Sequence, residues 1–213
     1  MNKKWISGLV LAVMAGSSPA EPSKLVLELP NPLFAGTPKS IKTPNLERRT
    51  VVPEIMVPAG TVNVAEGMEV SSSDDFPVIG ELEYVTDGDK DGADGSYVEL
   101  GPGLQWVQID LEQAREIFAV ALWHYHAQAR AYKDVIVQVA DDADFISNVV
   151  TVYNSDHDNS AGLGIGKDKE YIETNGGRLI DAKGVQAQYI RLYSNGSSSS
   201  DMNHYIEVEV FGR

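Results

Sequence analysis

Short runs rich in β-forming residues, separated by clusters of Gly, Asp, Asn and Ser, make up the chain after Val64. Several runs alternate between apolar and polar positions. In the last one, Ile206, Val208 and Val210 occupy the even positions and predict one apolar face. The run 135–139 is more continuously apolar, as in a central strand buried on both faces. We predict strands over residues 106–111, 117–123, 135–140, 149–153, 188–193 and 205–211.

Helical periodicity is almost absent from this part of the chain. Only residues 111–116 have the pattern of a brief helical turn. Short strands at this spacing are typical of an all-β sandwich or jelly roll, which we expect over residues 64–213. The chain contains no cysteine, so its stability must come from a core, a metal ion, or both. A domain of about 150 residues can bury enough surface for this.

Residues 21–63 differ from the rest because they carry seven prolines with short apolar pieces such as 25–27 between them. Proline at this density blocks helices and central strands. We therefore predict an extended Pro-rich leader or linker, pieces of which can lie along the domain without forming their own core.

The first twenty residues have the organisation of an export signal. Lys3 and Lys4 precede an apolar stretch, and the segment ends in small residues around Pro19 and Ala20. We expect cleavage after Ala20 and a secreted protein, extracellular or periplasmic. The apolar stretch is too short to span a bilayer, so no membrane insertion is expected.

Charge argues against nucleic acid as a partner. The formal net charge is −14, and removing the predicted signal takes it to −16, because that segment holds two lysines and no acid. Binding to DNA, RNA or anionic lipid depends on Lys and Arg that neutralise phosphate. The sequence does not set the oligomeric state.

Five ordered segments resemble the discoidin domain, also called the coagulation-factor type C domain, of the galactose-binding-like jelly rolls. They are YVTDGD at 84–89, WVQIDL at 106–111, VIVQVADD at 135–142, YIRLYS at 189–194 and IEVEVFG at 206–212. The resemblance covers residues 64–213. It implies a discoidin-type β-sandwich with a bound calcium ion near one end and a ligand site, often for carbohydrate, in the loops there.

An acidic segment at 87–95 carries four carboxylates within eight residues, a density that suits calcium. Its opening matches the D-x-D-x-D-G start of an EF-hand loop, but the twelfth position is Val98 instead of Glu, and no flanking helices are predicted. The EF-hand interpretation therefore fails. A solvated acidic turn is the alternative, since Asp and Gly are common in turns.

The resemblance implies how calcium would be held. Asp87 and Glu207 would supply side chains, and Tyr84, Asp89 and Ile206 would supply backbone carbonyls. One further ligand would come from residues 94–97, for which we name Asp94 and Ser96. Such a metal ion would tie the acidic segment to the last strand and rigidify that end of the domain.

A candidate ligand surface contains histidines at strand ends and in loops. Period-2 alternation places His124 and His126 on one face. Together with Arg130, Tyr132 and His157 they offer planar polar and aromatic groups of the kind that recognise sugars. A transition-metal site formed by the three histidines is one alternative. Ordinary polar loop ends that hydrogen-bond the backbone are another.

Two polar loops receive weaker predictions. The loop 154–167 fits neither a phosphate-binding loop nor a dinucleotide fingerprint. The first motif needs Gly at 161 and Ser or Thr at 168, where the chain has Ala161 and Asp168, and the second needs Gly at 167, where it has Lys167. A mobile, hydrogen-bonding loop over the ligand end is the better interpretation. The loop 194–200 is expected to turn the chain rather than to bind a ligand.

We predict no catalytic residues. Asp156 and His157 with a serine could be drawn as a triad, but no G-x-S-x-G elbow occurs. Two functions remain open. One is a calcium-containing module that binds extracellular or cell-wall carbohydrate, and the other is a protein-interaction or matrix module of the cell envelope that uses the same loops.

Overall fold

The structure is a computed structural model that describes residues 21–36, 38, 40–47, 52–93 and 95–213. The predicted export signal at 1–20 and the candidate ligand Asp94 lie outside the described residues. Within the described ranges, no helix has both the length and the apolar character needed to cross a membrane.

Strands dominate the described part of the chain, with one short 3-10 helix at Leu82–Thr86. The strands are β1 (Ser23–Lys24), β2 (Met56–Val57), β3 (Val62–Asn63), β4 (Val70–Ser72), β5 (Val98–Leu100), β6 (Gln105–His124), β7 (Ile136–Ala140), β8 (Val150–Asn154), β9 (Arg178–Ser194) and β10 (Asn203–Gly212). All pairings between them are antiparallel.

Two long strands, β6 and β9, pair along nearly their whole length and connect the two layers of a sandwich. The first part of β6 and the last part of β9 carry β4, β7 and β8. The remaining half of β6 also pairs with β10, which in turn pairs with β3 and β5. The predicted all-β, galactose-binding-like sandwich is confirmed.

A bulge marks the middle of β6. Asp110 pairs with Tyr189 and Arg115 with Ala187, so residues 111–114 face a single residue of β9. Glu112 has a positive φ of 63°, and its amide donates to Asp110 Oδ1 at 2.8 Å. The helical turn predicted at 111–116 is therefore wrong. The bulge exposes the polar residues of this stretch to solvent, and it also lets the strand bend from one layer to the other.

The main core lies between the two layers and includes Ile109, Val137, Leu192, Val208 and Val210. The predicted apolar face of β10 is thus confirmed at its two valines. The opposite side of β10 is buried as well, because other segments cover it.

A second core covers the outer face of the β10 layer. There Trp123 and Leu179 pack with Ile55 and Val57 of the Pro-rich leader, and Leu27 adds to the same cluster. The strands β1 and β2, both from the leader, pair over this face. Segments of the leader therefore lie along the domain and bury apolar surface on it.

Candidate functional site

The acidic segment folds against the last strand of the domain. The helix Leu82–Thr86 ends immediately before Asp87, and the amide of Gly88 donates to Glu207 Oε2 of β10 at 3.1 Å. Asp87 Oδ1 also accepts from the Asp89 amide at 2.8 Å, which closes a local turn. The segment that follows the helix is thereby tied to a strand more than a hundred residues later in the chain.

Glu207 is fully buried, and its Oε1 has no hydrogen-bond partner among the described residues. Burial raises the pKa of Glu207 to about 9; the nearby charges of Glu209 and Asp87 act in the same direction, while the Gly88 amide and Lys90 oppose it. The ammonium of Lys90 pairs with Glu209 at 2.6 Å. A buried carboxyl group therefore keeps one oxygen unused near Glu209 and Asp87, and a bound cation would stabilise its charged form.

The other predicted calcium ligands belong to several elements of the fold. Tyr84 is in the 3-10 helix, and Ser96 is in the turn before β5. Ile206 precedes Glu207 in β10, and its side chain packs into the second core. Asp94 lies outside the described residues.

Four of the five predicted ligand-binding side chains are buried. His124 and His126 are fully inaccessible, and Arg130 and Tyr132 are 7% and 1% exposed, whereas His157 is exposed. A single exposed surface formed by all five residues is therefore not present. The alternation rule indicated a shared face, but it could not indicate that other segments cover that face.

His124 belongs to a buried chain of hydrogen bonds. Its Nδ1 donates to Glu173 Oε1 at 2.6 Å, and its ring stacks on Tyr132 with centroids 4.3 Å apart. The Tyr132 hydroxyl donates to His204 Nδ1 at 2.9 Å, and His204 Nε2 lies 2.8 Å from Glu99 Oε2. These contacts join the end of β6 to β5, to β10 and to the segment before β9.

Electrostatics keep one member of this network neutral. Burial lowers the pKa of His204 to about 4, with the positive charge of Arg130 acting in the same direction. Burial also raises the pKa of Glu99, against the opposing charge of Arg130. The contact between His204 and Glu99 therefore acts as a hydrogen bond within a structural network, not as an exposed ion pair.

His126 and Arg130 have structural partners of their own. His126 Nε2 donates to the Lys90 carbonyl at 2.9 Å, and a Cβ atom on Gly92 would come within 3.1 Å of the His126 ring. The guanidinium of Arg130 lies 4.4 Å from the centroid of the Tyr125 ring. The two histidines at 124 and 126 thus contact different segments, which argues against the transition-metal site considered for them.

A polar cavity of about 440 Å³ opens on the surface where His157 lies. Its wall combines loop residues of the sandwich with residues of the leader. The lining residues are Lys42, Thr43, Pro44, Lys133, Asp134, His157, Asp158, Ser160, Glu170, Asn195, Ser197 and Ser198.

Asp134 connects the loops that form this cavity. Its Oδ2 accepts from the Ser160 hydroxyl at 3.0 Å and from the Asn195 side-chain amide at 2.8 Å. Backbone bonds from the Lys133 amide to the Gly196 carbonyl and from the Asn195 amide to the Lys133 carbonyl hold loop 194–200 against the segment that carries Asp134. The polar groups of the cavity are therefore held in place before any ligand arrives.

Three carboxylates converge beside the cavity, and they could hold a metal ion. One oxygen from each of Asp134, Asp156 and Asp158 lies within 4.8 Å of the others. Asp156 is fully buried, and its two oxygens accept from the amides of Ser160 and Ala161 at 3.0 and 2.9 Å. The protein itself therefore satisfies the most buried member of this group.

Sequence reasoning missed most of the residues that line the cavity. Only His157 was among the predicted ligand residues. The loops 154–160 and 194–200 had been singled out as polar, but the second was interpreted as a turn. The informative signal was the clustering of small polar residues, mainly Asn and Ser, in both loops, and hydrogen bonds to Asp134 of a third segment bring them together.

Comparisons with known proteins agree with this fold. The sequence model of the NedA-like, galactose-binding domain, of the coagulation-factor type C class, matches residues 84–192. No curated protein matches the sequence.

Solved structures of carbohydrate-binding modules are similar in fold. The CBM32 of AlyQ in complex with 4,5-unsaturated mannuronic acid has a TM-score of 0.50 at 20% identity, over 68% of this chain and 96% of that one. A Streptococcus pneumoniae fucose binding module has a TM-score of 0.50 at 17% identity, over 74% and 99%. CpGH89CBM32-4 of Clostridium perfringens, in complex with GlcNAc-α-1,4-galactose, has a TM-score of 0.51 at 19% identity, over 73% and 96%.

These likenesses, all at or below 20% identity, concern the fold, which is that of a carbohydrate-binding module. The family match spans 84–192, from the helix before the acidic segment through most of β9. On the sequence match and the fold together, this chain belongs to the NedA-like, galactose-binding domain family.

Proposed function

We propose that this protein is a secreted module that binds extracellular or cell-wall carbohydrate in the polar cavity beside His157. The observation that carries the proposal is the cavity itself, in which Asp134 and Asn195 are held by hydrogen bonds and His157 and Asp158 are exposed. Planar polar groups fixed in this way are suited to sugar hydroxyls. The saccharides named for the similar structures support the ligand class.

The predicted ligand set is revised accordingly. His157 stays in the proposed site, because it is exposed and lines the cavity. His124, His126, Arg130 and Tyr132 act in the proposal as internal supports, since their polar atoms already bind protein groups or are shielded from solvent.

We further propose one structural calcium ion at the acidic segment. Asp87 and Glu207 would supply carboxylates, and the carbonyls of Tyr84, Asp89 and Ile206 would complete much of the shell, with Ser96 nearby. The unpartnered Oε1 of Glu207 supports this assignment. Bound calcium would supply the positive charge that this buried carboxylate lacks and would fix the acidic segment to β10.

Catalysis forms no part of the proposal. The cavity combines carboxylates, amides and hydroxyls that mostly hydrogen-bond one another, and the similar structures named above include modules described by their bound saccharides. Such groups are suited to binding a saccharide without any reaction.

A glycan array probed with the purified protein, with calcium and with a chelator, tests the proposal. We expect selective binding that Asp158→Asn weakens about fivefold or more, as loss of a charged hydrogen bond would cause. Asp144→Asn is the matched control, because Asp144 is also an exposed loop carboxylate but lies outside the cavity. Equal binding by both variants would contradict the proposed site.

The protein-interaction alternative gives a different result in the same experiment. A folded protein that binds no glycan on the array, but co-purifies with an envelope protein, would contradict carbohydrate recognition. It would favour a matrix or envelope module that uses the same loops.

A further inference from the structure

The Pro-rich leader reaches the proposed carbohydrate site. Residues 41–47 lie beside the segment that follows loop 154–167, with Leu46 paired in parallel to Glu170. The Glu47 amide donates to the Glu170 carbonyl at 2.7 Å, and the Asn45 side-chain amide donates to the Asp168 carbonyl at 2.8 Å. This part of the leader is therefore aligned with the domain by backbone-directed hydrogen bonds.

A partly buried ion pair anchors the same segment. Glu47 Oε2 accepts from Arg178 Nη1 at 2.8 Å, with the two side chains 19% and 16% exposed. The guanidinium of Arg178 also lies 5.2 Å from the Tyr153 ring and 5.0 Å from the Tyr171 ring. Because Arg178 also contacts two aromatic rings, its ion pair fixes the position of Glu47 more firmly than a fully exposed pair would.

The consequence of this docking is that Lys42, Thr43 and Pro44 line the cavity together with Asp134 and His157. The wall of the cavity thus comes from two separate parts of the chain. Without the leader, the loops alone would present a more open surface at this place.

Unpartnered polar atoms lie where the leader meets the domain. Thr43 Oγ1 and Glu170 Oε2 are both buried without a hydrogen-bond partner among the described residues, and both residues line the cavity. Glu170 as a whole is only 3% exposed. A ligand rich in hydroxyl groups offers donors and acceptors that could satisfy such atoms.

We propose that the leader segment 40–47 is part of the binding site and that it contributes Lys42 and Thr43 to recognition of the saccharide. This inference rests on the proposed function. The Lys42 ammonium is a donor for sugar oxygens, and the Thr43 hydroxyl is both donor and acceptor. Glu47 and Asn45 act as positioning residues that hold these two side chains at the cavity.

Two kinds of variant test the role of the leader in protein that retains this segment, with binding of the best array glycan measured by calorimetry. Glu47→Gln combined with Asn45→Ala removes the anchor, and Lys42→Ala combined with Thr43→Ala removes the proposed contacts. We expect each pair to weaken binding about tenfold, as the loss of two hydrogen bonds to a ligand would. Glu54→Gln is the control, because Glu54 pairs with Lys24 in an exposed part of the leader and lies outside the cavity.

A cysteine probe reports the position of the leader without any ligand. The chain has no cysteine, so Ser40→Cys, which is exposed, gives one site for an environment-sensitive fluorophore. We expect the anchor variant to change its emission and the control to leave it unchanged.

The outcomes separate the two proposals. Unchanged glycan affinity in the anchor or contact variants, in a protein that binds glycan, would overturn the role of the leader while leaving carbohydrate binding intact. Failure of the unaltered protein to bind any glycan would instead overturn the proposed function. A fluorophore at position 40 that does not respond to loss of the anchor would also contradict the docked leader.

Discussion

Two groups of carboxylates in this domain are stabilised in different ways. At the acidic segment, Glu207 is buried near Asp87, one of its oxygens has no partner, and its pKa is raised to about 9. Beside the cavity, Asp156 is buried to the same extent, yet backbone amides bind both of its oxygens, and Asp134 accepts from a hydroxyl and an amide.

The difference indicates that burial alone does not make a carboxylate require a cation. The number of hydrogen bonds that the protein provides to the charged form decides whether an ion is needed. We therefore expect stability to depend on metal at Glu207 and to be largely independent of metal at Asp134 and Asp156, although the second group could also hold an ion.

Removing calcium should have the largest effect. A chelator is expected to lower the melting temperature by about 10 °C, the shift for a protein of this size when a ligand present at about a thousandfold its dissociation constant is withdrawn. Differential scanning calorimetry with and without added calcium measures it. An unchanged melting curve, with no metal found by elemental analysis, would contradict the proposed ion.

Glu207→Gln should abolish most of that calcium response. The amide keeps the shape of the side chain but removes the charge that the ion binds, so the variant should melt at nearly the same temperature with calcium and with chelator. Glu116→Gln is the control, since Glu116 is an acid of β6 that pairs with Arg213 near the surface. A full calcium response in Glu207→Gln would exclude this residue as a ligand.

Asp134→Asn should reduce stability without changing the calcium response. The side-chain oxygen of Asn can still accept from Ser160 and Asn195, but it lacks the negative charge that strengthens both bonds, at a cost of about 1–2 kcal/mol in the free energy of unfolding. Urea denaturation measures the loss, and the same titration with chelator measures the response. If the calcium response disappeared in this variant, the cavity group would be the principal metal site.

Asp158→Asn should have the smallest effect on folding. Asp158 is exposed and its hydrogen bonds are local, including one from the Ser160 amide at 3.1 Å, so the variant should melt close to the temperature of the unaltered protein. Its affinity for glycan should nevertheless fall, which separates a binding role from a folding role. A large drop in melting temperature would place Asp158 with the structural carboxylates.

The fold could be predicted because its signals are local and repeated along the chain. The alternation in β10 and the continuous apolar run in β7 each follow from where a strand side chain points. The bulge at 111–114 was misinterpreted because its short polar sequence is similar to that of a helical turn. The positive φ at Glu112, which distinguishes the two, is a property of the structure.

The candidate site was predicted only in part. The acidic segment and Glu207 were named together through family resemblance, and the structure does place them in contact. The predicted sugar-binding residues at 124–132 are buried instead, because the segments that cover them come from distant parts of the chain. Local patterns contain no information about such long-range contacts.

The sequence by itself determined the all-β class, the order of the strands, the acidic character and the position of the Pro-rich leader. These properties depend on composition and on periods of a few residues. Only the tertiary structure decided which polar residues reach solvent, which loops share a cavity, and that the leader supplies one of its walls. Those features depend on contacts between residues far apart in the chain, and such contacts exist only once the sandwich has closed around its core.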